Sequence, residues 1–176
     1  MNTLWAPWRM ERIEHLGQRV GATEGVCPFD VPGTEATAKS HLLLFRDATR
    51  LCLLNRYPYA NGHLLIAPTR HIGCLTQLNP GELSAVMQLV QEATAILQQV
   101  LKPDGLNIGI NLGPDAGAGI PDHLHIHIVP RWRGDHNFMT VISEIRTIPE
   151  HIAVTFDRLL PHFLRLLQRD RSHHSR

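Results

Sequence analysis

Apolar and polar positions segregate into short runs along the first half of the chain. HLLLF (41–45), RLCLLN (50–55) and GHLLIAP (62–68) are three apolar stretches separated by DAT and YPYAN, which are turn chemistry. Runs of that length between turns predict strands of an antiparallel sheet. NPGEL then changes the period. Asn79 suits an N-cap, Pro80 the first helical position, and Glu82 completes a capping-box pattern. Leu83, Val86, Met87, Val90, Ala93, Leu97, Val100 and Leu101 follow at helical spacing. They predict one long amphipathic helix over 80–102 with its apolar stripe in the core, ended by KPDG. NIGINLG and DHLHIHIVP predict two more strands, joined by the glycine-rich GPDAGAGIP. Beyond Gly134 the pattern is irregular until an amphipathic segment from about Glu150 to Leu167, which Pro161 is expected to kink or divide.

The outline is an α+β domain: an antiparallel sheet of about five strands crossed by one long helix. Residues 1–25 read as an N-terminal arm, 26–138 as the domain, and 139–168 as a C-terminal extension with a kinked helix. The basic end RDRSHHSR (169–176) reads as a disordered, solubilising tail.

A chain of 176 residues fits one domain with appendages and can bury a good core. A net charge of +1 gives no broad basic field, so nucleic acid is not expected as a partner. No apolar run approaches a membrane span, and the N-terminus lacks the apolar core of a signal peptide. Cys27, Cys52 and Cys74 are odd in number and lack disulfide-framework spacing, which suits a reduced, cytoplasmic protein. Cys52 and Cys74 are expected in the core. His15, His41, His151, His162, His173 and His174 are expected as ordinary surface or boundary residues.

The chemistry concentrates in DHLHIHIVPRW. His123, His125 and His127 alternate with Leu124, Ile126 and Ile128. On a strand this places the imidazoles on one face and the aliphatic residues in a core. Three readings of that face compete. It could be the wet side of the strand, although a wet side normally mixes Thr, Lys and Glu. It could bind a metal, but the outer pair would lie roughly 13 Å apart on a strand rising 3.3 Å per residue, too far for one ion. Or His125 could be a nucleophile flanked by imidazoles that manage charge. The adjoining glycine loop can expose backbone N–H groups as an anion nest, weak by itself but apt beside a nucleophile. A neutral imidazole attacks through Nε2 if Nδ1 donates a fixed hydrogen bond. His127 could then donate to a non-bridging oxygen. His123 could do the same, or help the leaving group, if it is free.

His123-Leu124-His125-Ile126-His127-Ile128-Val129 resembles the motif of the histidine-triad (HIT) family. LNRYPYANGHLLIAPTRH is similar to that family's nucleoside-binding strand pair, and GPDAGAGIPDHLHIHIVPRW to its phosphate loop and triad. WAPWRM and PRWRGDHNF resemble a longer bacterial branch that includes diadenosine tetraphosphate phosphorylases. The resemblance implies a HIT-like fold, a homodimer and nucleotidyl transfer at an α-phosphate, with an adenine nucleotide or dinucleoside polyphosphate as substrate. It makes His125 the nucleophile, His63 a support of the catalytic face and Asn55 a ribose contact. Gly117, Ala118 and Gly119 would bring backbone N–H groups to phosphate. Where relatives carry Asn or Gln this chain has Leu112; Asn111 is adjacent, but a one-residue strand shift would turn it to the opposite face.

No cofactor is implied for catalysis. Several bacterial relatives hold structural zinc, and the corresponding set here is Cys27, Asp30, His71 and His123. Asp30 stands in place of a second cysteine. Carboxylate oxygen is a legitimate zinc ligand, though such a set is less usual than one with two thiolates. The alternative is a relic, with Cys27 a small buried hydrophobe and Asp30 a turn residue. Two function classes remain at this point: a nucleotidyl-transfer enzyme, or a nucleotide- or zinc-binding module without turnover. Within the first, phosphorolysis of diadenosine tetraphosphate to ATP and ADP, using inorganic phosphate, is preferred. Hydrolysis of nucleoside phosphoramidates, dinucleoside polyphosphates or other nucleotide conjugates is the alternative.

Overall fold

Strands β2 (Arg50–Leu54) and β3 (Leu64–Pro68) are buried at every position. Near-continuous apolar runs of this kind cannot sit with one face in water. The sheet is accordingly covered on both sides over these strands. A computed structural model describes residues 27–30, 35–135 and 150–174. Within them β1 (Leu43–Arg46), β2, β3, β4 (Gly105–Ile110) and β5 (Ile126–Arg131) form one antiparallel sheet in the order β1-β2-β3-β5-β4. The helices are α1 (Glu35–His41), α2 (Pro80–Val100) and α3 (Ile152–His174). The α+β reading with five strands and one long crossing helix holds. The N-terminal arm with WAPWRM lies outside the described residues, as do residues 136–149, which hold the end of PRWRGDHNF and the start of the C-terminal extension.

One face of the sheet presents Cys52, Leu54, Leu64, Ile66, Ile126 and Ile128 to the helices. Leu89, Ala93 and Leu97 of α2 and Phe156, Leu159 and Phe163 of α3 complete that core, each at most 1% exposed. At about 1.5–3 kcal/mol for each large side chain buried, this layer dominates the stability. The opposite face carries Leu43, Leu51, Leu53, Leu65 and Ala67, with Phe29 laid over them. The histidines share this second face, because Leu65 pairs with His127 while Ile66 and Leu64 pair with Ile126 and Ile128. The start of α2 is as read: Asn79 Oδ1 accepts from the Glu82 N–H at 2.9 Å, and Glu82 Oε2 accepts from the Asn79 N–H at 2.9 Å.

Four local expectations are corrected. Residues 35–41, which run up to the first predicted strand and carry no predicted helix, form α1. His125 precedes the sheet by one residue, since β5 begins at Ile126. The ladder stops there because Pro68 has no N–H and its carbonyl accepts from the His123 ring, while the Leu124 N–H turns to Ile72 O. Pro161 does not divide the last helix, which runs unbroken from Ile152 to His174. Pro161 itself is exposed, and burial of Phe156, Leu159, Phe163 and Leu166 on the other side outweighs the roughly 3 kcal/mol an interior proline costs. Residues 169–174, expected as disordered tail, are helical. Asp170 Oδ2 accepts from the nearly buried Arg50 at 2.7 Å, and Arg169 pairs with Glu92. Arg50 also donates to Asp47 Oδ2 at 3.0 Å and Ala85 O at 2.9 Å, so its charge is neutralised where it is buried.

Candidate functional site

The triad face is assembled from β5, the loop between β2 and β3, and the segment around Phe29. The wet-face reading fails: His123 is 0% exposed and His125 5%. Buried imidazoles need partners, and their partners fix the tautomers. His125 Nδ1 lies 2.8 Å from the His123 carbonyl, which can only accept. Nδ1 therefore carries the proton, and Nε2 keeps its lone pair. Burial pushes the His125 pKa down, with the bond to the His123 carbonyl opposing it. The group is a neutral base and nucleophile.

His127 has the complementary tautomer. The Tyr59 N–H donates to His63 Nδ1 at 3.1 Å, so the proton of neutral His63 sits on Nε2. His63 Nε2 donates to His127 Nδ1 at 2.9 Å, which leaves the proton of His127 on Nε2. That Nε2–H is the buried side-chain polar atom without a partner among the described residues. Its ring centroid is 4.9 Å from that of His125, edge to face. Burial, and secondarily His125, hold the His127 pKa at about 4. A lone pair on His125 thus stands beside an unsatisfied donor on His127. His63, which the resemblance assigns to supporting the catalytic face, is 0% exposed and is joined to His127 across 64 positions of sequence.

His123 is not free for the site. Its Nε2 donates to Pro68 O at 2.9 Å, and its Nδ1 faces Cys27 Sγ at 3.4 Å and Asp30 Oδ1 at 3.6 Å. The expectation that it also assists catalysis is therefore replaced by a position in the second cluster. There Cys27, Asp30, His71 and His123 each offer a ligand atom, all within 4.8 Å of one another. Tetrahedral zinc, with bonds of roughly 2.0–2.3 Å, fits such a group after small adjustment. The donor set also has the expected support: a metal-ligating imidazole usually donates its other N–H, as His123 does to Pro68. Phe29, between Cys27 and Asp30 in sequence, packs its ring at a tilt against both His123 (4.8 Å between centroids) and His125 (5.2 Å).

Asn55 lines a cavity of about 440 Å³ with Leu42, Leu53, Tyr57, Leu65 and Ile120. That size and apolar lining suit a small organic ligand. The cross-sheet row Leu53–Leu65–His127 carries its floor directly to the triad. Asn55 Oδ1 accepts from the Tyr57 N–H at 3.0 Å, and its Nδ2 lies 3.1 Å from His63 Nδ1. His41, expected as an ordinary surface residue, lines the same cavity. Asn111 lies just past the end of β4, where Nδ2 donates to Gly117 O at 3.3 Å. It therefore faces the glycine loop, whereas Leu112 is 45% exposed. Of the loop donors, the N–H groups of Gly117 and Ala118 are engaged by Pro114 O and Gly113 O, which leaves that of Gly119. Gly113 and Gly117 hold φ of +81° and +83°, the left-handed region that favours glycine. Cys52 is in the core as expected, but Cys74 is only half-buried, with Sγ 3.1 Å from Thr76 Oγ1.

Sequence reasoning missed three contributors: the Tyr59 N–H, the Pro68 carbonyl and the Phe29 ring. The first two are backbone groups and leave no residue-type signal. Phe29 could have been suspected from its place between two candidate ligands.

A family model described as HIT domain matches residues 36–134. The AP-4-A phosphorylase of Mycobacterium tuberculosis is 35% identical over 158 residues, covering 88% of this chain and 80% of that protein. Among solved structures, a zinc-bound histidine triad family protein from Mycobacterium smegmatis superposes with a TM-score of 0.58 at 26% identity. The match covers 72% of this chain and 86% of that one. A hypothetical histidine triad nucleotide-binding protein from Sulfolobus tokodaii superposes with a TM-score of 0.60 at 23% identity, covering 80% and 93%; at that identity the likeness is one of fold.

Proposed function

The chain belongs to the HIT domain family, and from that premise we propose that it phosphorolyses diadenosine tetraphosphate to ATP and ADP. The observation that carries the reading is the pair of opposed tautomers: a lone pair on His125 Nε2 next to an unpartnered Nε2–H on His127. A binding module would have no use for either. His125 Nε2 attacks one α-phosphorus, the α–β bridging bond breaks, and ATP leaves. The adenylate stays on His125. His127 donates to a non-bridging oxygen, where charge develops. An oxygen of inorganic phosphate then attacks the same phosphorus, displacing His125 and forming ADP. Asn55 and the apolar cavity would hold the nucleoside, and Asn111, Gly117, Ala118 and Gly119 would frame the phosphate path.

Two further features belong to the proposal. Cys27, Asp30, His71 and His123 would hold a structural zinc, which ties the Phe29 segment to the base of the triad. The chain would also form a homodimer. Among the described residues no strand pairs with the outer edge of β4, where Ile108 is 48% exposed, and unpaired apolar edges invite a second copy.

Products decide the reaction. Incubation with diadenosine tetraphosphate and inorganic phosphate should give ADP and ATP in equal amounts, and nothing without phosphate. AMP and ATP irrespective of phosphate would mean asymmetric hydrolysis and would overturn phosphorolysis.

A further inference from the structure

The His63–His127 relay depends on the loop that carries Tyr59 and His63, and that loop has little sheet structure of its own. Both hydrogen bonds of the Asn61 side chain among the described residues go to the C-terminal segment. Asn61 Oδ1 lies 2.8 Å from Thr155 Oγ1, and Asn61 Nδ2 donates to Glu150 Oε2 at 3.4 Å. Thr155 is 1% exposed, and its one hydroxyl proton is shared between Asn61 Oδ1 and Glu150 Oε2, the latter 2.6 Å away. Arg158 fastens this cluster to the end of the long helix: it donates to Glu150 Oε1 at 2.7 Å and to Val100 O at 3.1 Å. On the other side of the loop, Gly62 takes φ +73° against Leu101, where a Cβ would meet Leu101 Cδ1 at 2.3 Å. The loop is therefore clamped between α2 and the start of α3, two residues before His63.

We propose that Thr155, through Asn61, is a positioning residue for the histidine relay, so that the C-terminal helix outside the matched domain sets the orientation of His127. The Tyr59 N–H reaches His63 Nδ1 only while the 59–63 turn keeps its shape, and the His63 N–H to Ala60 O bond (3.2 Å) closes that turn. Displacing Asn61 loosens the turn and draws the Tyr59 N–H away from His63 Nδ1, which leaves the Asn55 amide, 3.1 Å away, to hold that tautomer by itself, so part of the His127 population can move its proton to Nδ1. The donor beside His125 is then lost without any change at the cavity. Since reacting groups misplaced by about 1 Å can cost 10²-fold, partial loosening is expected to cost about tenfold.

The inference rests on the proposed reaction for its kinetic readout and is independent of it for its spectroscopic one. Thr155→Val keeps the shape and removes the hydroxyl, Thr155→Ser restores the hydroxyl, and Asn61→Ala removes the same contacts from the loop side should Thr155→Val not fold. With diadenosine tetraphosphate and phosphate, Thr155→Val and Asn61→Ala should lower kcat about tenfold with KM within about twofold. Thr155→Ser should recover most of kcat. In ¹⁵N spectra of the free protein, His63 and His127 should report Nε2–H tautomers in wild type and mixed tautomers in the two lesions. Wild-type tautomers in Thr155→Val and Asn61→Ala, or kcat unchanged in both, would overturn the positioning role. A wild-type protein that does not turn over this substrate would sink the reaction, and the nitrogen spectra would still decide the brace.

Discussion

Lowering the pH should weaken the fold through His127 in particular. The imidazole titrates near its ordinary value of 6.5 when unfolded and at about 4 in the fold, because burial, and then the neighbouring His125, disfavour its charge. Between those values the unfolded chain binds a proton that the native state does not, so stability falls as acid is added. The contribution is whole above pH 6.5, declines down to about 4, and is flat below. With each pKa unit worth about 1.36 kcal/mol, the gap from 6.5 to about 4 amounts to about 3 kcal/mol. His127→Asn is the comparison, since it does not titrate and its side-chain oxygen can accept from His63 Nε2–H as His127 Nδ1 does. Denaturant unfolding of both proteins at about pH 7.5 and about pH 4 gives two differences in stability. Acid acts alike on the groups remote from position 127 in both proteins, so wild type should lose about 3 kcal/mol more than the variant. Equal losses would refute both the desolvated neutral state and the tautomer chain built on it.

Replacing His125 by Ala removes the nucleophile but leaves the cavity of Asn55, Leu53 and Leu65 intact, so turnover should drop by about 10³ or more while nucleotide affinity, read by calorimetry, stays within a few-fold; parallel loss of both would mark a structural histidine. Protein purified without chelator should contain about one zinc per chain by elemental analysis, and His71→Ala should lose it. Near-zero metal in wild type would reject the zinc assignment. Pro161→Ala restores an N–H within α3 at an exposed position and should raise stability by up to about 3 kcal/mol, seen as a higher thermal midpoint. An unchanged midpoint would mean that the helix is already distorted at that point.

Local chemistry was legible in the sequence wherever neighbours along the chain decide the outcome. The Asn79–Glu82 box, the period of the long helix and the alternation of His123, His125 and His127 are contacts or faces fixed within a few residues. The shared face of the triad followed from strand geometry even though His125 lies just outside the ladder. What separates the three histidines was not legible, because identical residues took their roles from distant partners. Pro68 O turns His123 toward Cys27 and Asp30, the His123 carbonyl sets His125, and Tyr59 through His63 sets His127. Two of these partners are carbonyls and one is a backbone N–H, which every residue type supplies alike. The tail was misread for a similar reason: RDRSHHSR is polar enough to be disordered, but Asp170 finds a buried guanidinium 120 positions earlier. Residue types and their spacing mark which side chains are able to do chemistry. Tertiary structure decided which nitrogen carries each proton, because a tautomer is set by whichever donor or acceptor the fold brings within 3 Å.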